Sequence, residues 1–69
     1  MDSQIVIKDW TALDSGLYRF FGADPSLGGF YADARLECRA ARRASIQSTN
    51  YTGSLDRLAV SIAAFAENM

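Results

Sequence analysis

The chain contains no histidine at all and only one cysteine, Cys38. Without histidine there is no histidine-based catalytic triad and no Cys/His zinc site. A single thiol cannot form an intrachain disulfide. Excess charge of either sign is missing as well. Seven Lys and Arg against eight Asp and Glu leave a formal charge of −1 at pH 7, which argues against a strongly basic nucleic-acid binder and against a polyanionic tail. Long apolar runs are also lacking. The longest apolar-rich stretch, Leu58 to Ala66, is far short of the ~20 residues that span a bilayer. The amino terminus is acidic early, at Asp2, and reaches only the apolar run Ile5-Val6-Ile7, whereas a signal peptide needs a basic start and roughly 7–15 apolar residues. A cytoplasmic protein is therefore expected. Asn50-Tyr51-Thr52 matches the N-glycosylation sequon, but without a secretory route the match is empty. Cys38 fits a reducing compartment, as a small buried hydrophobe.

At 69 residues there is room for one small domain, 1–69, and a fold of this size buries only about 60% of the surface its unfolded chain exposes. Hydrophobic residues make up 49% of the chain, which places it among globular rather than disordered sequences. No internal repeat, low-complexity tract or linker interrupts it.

Gln4 to Trp10, with β-branched Ile5, Val6 and Ile7, reads as a strand. Asp14-Ser15-Gly16 is turn chemistry. Leu17 to Phe21 reads as a short aromatic strand in preference to a helix, and Gly22 to Gly29, with Asp24-Pro25 and Gly28-Gly29, as a loop. Between Phe30 and Ser48 two signals conflict. Ala, Arg, Glu and Leu favour helix by propensity. Yet Ala32, Ala34, Leu36, Cys38 and Ala40 alternate without a break with Asp33, Arg35, Glu37 and Arg39, and only a strand puts those charges on one side. Periodicity is the stronger signal. Phe30 to Ala40 is expected as a strand, Ala41-Arg42-Arg43 as a connection and Ala44 to Tyr51 as the next strand. Thr52-Gly53-Ser54 ends it. Ser54 is then the N-cap of a helix with Asp56 in its first turn and an apolar stripe of Leu55, Leu58, Ala59, Ile62, Phe65, Ala66 and Met69.

The fold expected is α+β: a small antiparallel sheet of three or four strands packed against a carboxy-terminal amphipathic helix. The helix covers a face built from Ile5, Ile7, Phe30, Ala34, Leu36, Cys38 and Ile46. Parity assigns the opposite face Val6, Trp10, Tyr31, Asp33, Arg35, Glu37, Arg39, Gln47, Thr49 and Tyr51. Nothing remains to cover it unless Thr11 to Phe21 is helical. Trp, Tyr and Arg are the types enriched in interface hot spots, so this face is the candidate surface for a protein partner or a second copy of the chain. The bland alternative is a solvated face with cross-strand ion pairs.

Four arginines, Arg35, Arg39, Arg42 and Arg43, give residues 30–50 a net charge of +2 against −3 elsewhere. With Tyr31 or Tyr51 as stacking platforms they define the alternative reading, a nucleic-acid-binding module. Asp33 and Glu37 would repel phosphate, so an acidic protein meeting Arg42-Arg43 is the better fit. Catalysis has little to work with. Any general base would have to be a shifted carboxylate, a tyrosine, Lys8 or Cys38, and Gly22, Gly28 and Gly29 form neither a Walker loop nor a dinucleotide fingerprint. No enzyme activity, metal or cofactor is expected.

The working hypothesis is a non-catalytic protein-interaction protein that covers or assembles a partner. It could be an inhibitor of antitoxin, immunity or anti-defence type (phage anti-CRISPR included) or an accessory subunit. Its partner-binding residues are Trp10, Tyr31, Arg35, Arg39, Arg42, Arg43 and Tyr51. Six arginines to one lysine hint at a GC-rich bacterial or phage source.

Overall fold

The structure is a computed structural model that describes residues 4–36 and 43–69. Residues 6–35 fold into a meander of three antiparallel strands, β1 (Val6–Asp14), β2 (Leu17–Asp24) and β3 (Gly28–Arg35). The turns are written in the chain. Gly16 and Gly28 take φ of +74° and +92°, values that a Cβ disfavours. Asp14 and Asp24 accept hydrogen bonds from the Ser15 and Ser26 amides, each at 2.7 Å. A fourth strand, β4 (Ser45–Thr49), pairs with β3, giving the order β1-β2-β3-β4. The chain closes with α1 (Leu55–Ala66). The domain is an open four-stranded antiparallel sheet with one helix layer, the α+β architecture expected.

Ser54 caps α1 through its side chain, which accepts the Arg57 amide at 3.3 Å. Leu58, Ala59, Ile62 and Ala63 face the sheet and are buried, whereas Leu55 at the start of the expected stripe is exposed. The helix lies over Phe20, Phe30, Ala32 and Ala34, with Ile5, Ile7, Leu36 and Ile46 packed around them. The alanines leave room for close approach, and the Phe65 ring meets Phe20 edge-on at 6.1 Å. Every expected member of this face that is described is there; Cys38 lies outside the described residues.

Two boundaries differ from expectation for a physical reason. Gly22 to Gly29 is mostly strand. β2 runs on to Asp24 and β3 starts at Gly28, leaving only Pro25–Leu27 as the turn. Gly22 is needed by packing rather than by a loop. A Cβ there would lie 2.5 Å from the Val6 carbonyl oxygen and 2.9 Å from the Phe30 ring. β1 likewise continues past Trp10 to Asp14, so residues 11–14 are strand. β3 ends at Arg35, and the rest of the alternating run, 37–40, lies outside the described residues.

Candidate functional site

Antiparallel pairing puts directly opposed residues on the same face of a sheet, so the register assigns every side chain to a side. Phe20, fully buried under α1, marks the covered face. The open face then carries Val6 opposite Ala23, Asp9 opposite Phe21 and Tyr31, and Thr11 opposite Arg19 and Asp33. Asp14 opposite Leu17 and Arg35 follows, and β4 adds Ser48 beside Asp33 and Ser45 beside Arg35. Among the described residues no element lies over these side chains. Val6 and Phe21 keep 48% and 41% of their surface in solvent, contiguous apolar area of the sort that marks interaction surfaces.

Arg19 organises the centre. Its Nε and Nη2 donate to both carboxylate oxygens of Asp33, at 2.6 and 3.0 Å. Its guanidinium carbon stands 4.9 Å from the centroid of the Tyr31 ring. The bond to Arg19 holds the Asp33 carboxyl below its usual range and raises the guanidinium in turn. A planar fork fixed between an aromatic face and a carboxylate has little rotamer freedom left to lose on binding. Arg35, at the far end, donates to the Ser15 carbonyl at 3.4 Å. The patch is thus apolar at Val6, Phe21 and Tyr31, internally neutralised at Arg19–Asp33, negative along β1 at Asp9 and Asp14, and positive on β3 at Arg35.

Of the seven residues expected on this surface, the structure places Tyr31 and Arg35 there. Trp10 is on the other side. The register of β1 slips between Ile7 and Asp9, and the bulge at Lys8 inverts the alternation. Trp10 therefore comes level with Phe20, and its ring meets Tyr18 edge-on at 5.5 Å. Tyr51 is also inward. β4 ends at Thr49, beyond which parity no longer applies, and Tyr51 enters the core with its ring centroid 4.8 Å from that of Phe30. Its hydroxyl donates to Asp24 at 2.6 Å. That bond, with the Ser26 amide, lowers the Asp24 pKa, while burial and the same carboxylate raise that of Tyr51. Thr49 too leaves the open face: a slip between Asp33 and Ala34 puts it level with Ala32. Arg43 pairs with Asp56 of α1 at 3.0 Å, both side chains well exposed. Arg39 and Arg42 lie outside the described residues, as does Glu37.

Sequence reading missed Arg19, Phe21 and Leu17. Leu17 to Phe21 carries bulky side chains on both parities, so no polar contrast marks its outward side. The available signal was pairing: once β2 is set beside β3, Arg19 must meet Asp33. Elsewhere, Asp56, Arg57, Val60 and Ser61 line a shallow, open depression on the outer side of α1. No cluster of three or more metal-ligating side chains occurs among the described residues, and no helix there is long and apolar enough to cross a membrane.

Comparison of the chain with protein-family models, curated proteins and solved structures finds no match.

Proposed function

We propose that this is a non-catalytic protein-interaction domain that works by laying its open sheet face against another protein, as an inhibitor or accessory subunit. The observation that carries this reading is the Val6–Phe21–Tyr31 patch joined to the immobilised Arg19. Exposed apolar area, an aromatic ring and a preorganised guanidinium are the ingredients of an interface hot spot, and they sit on the one sheet face that α1 leaves uncovered. Arg35 at the margin favours a partner with a carboxylate at the matching position.

The nucleic-acid alternative has weaker support. Arg19 and Arg43 are each engaged by a carboxylate of this chain, and Asp9, Asp14 and Asp33 share the open face with Arg19 and Arg35. Phosphate would meet more negative than positive charge there. The absence of histidine and the use of Asp24 and Tyr51 in one another's hydrogen bonding favour a role without catalysis.

The test is capture of the partner from the native host on immobilised protein. Phe21→Ala and Tyr31→Ala, each with an unchanged circular-dichroism spectrum, are expected to lose the captured protein, while Trp10→Ala retains it. Capture that survives both open-face variants removes the proposed surface.

A further inference from the structure

A sheet can associate through its edges or through its face, and here both edges are obstructed. β1 is interrupted by two register slips, between Ile7 and Asp9 and between Ala12 and Asp14. At the first slip the Asp9 carboxylate accepts the Trp10 amide at 2.8 Å, so a side chain of the strand itself occupies that donor. On β4 the Gln47 amide donates to the Ser45 carbonyl at 3.3 Å and to its hydroxyl at 3.0 Å. Bulges, edge charges and short edge strands are the devices that block strand addition. β1 carries Lys8 and Asp9 beside its first bulge, and β4 is only five residues long. Among the described residues the open face has no such protection.

We infer that, when no other partner is bound, the open face is covered by a second copy of this chain, sheet against sheet. This rests on the proposed reading only in taking Val6, Phe21 and Tyr31 as the contact patch. Area permits it. The two longer dimensions of the whole domain, 34 and 21 Å, set an upper limit of roughly 700 Å² per copy, or about 1,400 Å² for the pair, which reaches into the range of stable interfaces. Charge permits it too. Arg19 and Asp33 neutralise each other within one copy, so their burial leaves no unpaired charge. Among the described residues the charges left on the face are opposite in sign on opposite strands: Asp9 and Asp14 on the edge strand β1, and Arg35 on β3, in one row with Asp14 across Leu17 of β2. A twofold axis running along β2 sets the acidic strand β1 of each copy against β3 of the other, with Asp14 facing Arg35. An isologous contact needs this kind of self-complementarity. Stacked sheets approach to about 10 Å, close enough for Phe21 and Tyr31 of one copy to interdigitate with the apolar patch of the other. The second copy thereby competes with any other partner for the same residues.

Sedimentation velocity of the purified chain, from low-micromolar to near-millimolar concentration, tests this directly. The wild type is expected to pass from monomer to dimer across that range. Phe21→Glu buries a charge with no partner and should weaken the dimer at least about a hundredfold, with the circular-dichroism spectrum unchanged. Arg35→Asp alone should weaken it, and the exchanged pair Asp14→Arg/Arg35→Asp should restore it. Gln47→Ala, at an edge, should leave it intact. A wild type that stays monomeric throughout overturns the inference, as does a dimer that survives Phe21→Glu. Neither result touches capture of another protein through Phe21 and Tyr31, so the two proposals fail separately.

Discussion

The hydrogen bond between Tyr51 and Asp24 ties the segment entering α1 to the β2–β3 turn inside the core, and it makes stability depend on pH at both ends of the scale. The Asp24 pKa is lowered by the Tyr51 hydroxyl and the Ser26 amide. Its contribution is therefore complete above the ordinary carboxylate value, about 3.9, and fades as pH falls through the folded-state value. Asp33, lowered by Arg19, follows the same acid limb. The Tyr51 pKa is raised, by burial first and by Asp24 second. Its contribution holds below the ordinary tyrosine value, about 10, and disappears as pH rises through the folded-state value. Urea midpoints measured across pH should fall on both flanks. Tyr51→Phe should flatten the alkaline flank and weaken the acid one, whereas an alkaline flank unaltered by that change would exclude the assignment. Gly22 gives a second residue-scale test. Gly22→Ala puts a methyl against the Val6 carbonyl and the Phe30 ring and should cost about 1–3 kcal/mol by overpacking, read as a lower urea midpoint.

At the scale of elements, the helix is the part whose local chemistry can be tested alone. Ser54→Ala removes the acceptor of the Arg57 amide and should cost about 1 kcal/mol, seen in thermal denaturation with the native spectrum retained. Phe20 faces the helix, where it meets Phe65, and is fully shielded from water. Phe20→Ala should cost about 3–5 kcal/mol, a large share of what so small a domain possesses. How far each element was legible in the sequence depended on whether it was interrupted. Ala32 to Arg35 alternates without a break, and its small apolar and charged residues fall on the two faces as read. Ser54 and the stripe after it specify α1 for equally local reasons. Bulges at Lys8 and Gln47 involve no glycine, and nothing in residue type distinguishes their position from ordinary strand. One extra residue there reverses every later assignment on that strand, which is why Trp10 and Thr49 were read onto the wrong side. Tyr51 was misread because alternation was carried past the end of β4. Gly22 was misread because a glycine required by close packing looks the same in sequence as one required by a turn.

At the scale of the whole molecule, one helix cannot cover both sides of a four-stranded sheet, and the uncovered side holds the proposed interaction residues. Two binding outcomes separate the readings. For protein association, replacing Phe21 or Tyr31 should abolish capture without altering the fold. For nucleic acid, titration of a labelled single-stranded oligonucleotide at low salt should show no affinity that falls steeply as salt is added. A steep salt dependence, flattened by neutralising Arg35, would instead establish the nucleic-acid reading.

The order β1-β2-β3-β4 has a kinetic consequence. Each strand pairs only with its neighbour along the chain, and the first two turns are tight, so little loop-closure entropy opposes their pairing. Hairpins of this kind form in about 1–10 μs. The meander can therefore assemble from one hairpin outward before α1 docks, and pairing between strands adjacent in sequence should make this domain a fast folder for one built mostly of strands. Stopped-flow refolding should then show Phe20→Ala slowing the folding limb, with Ser54→Ala acting chiefly by speeding unfolding.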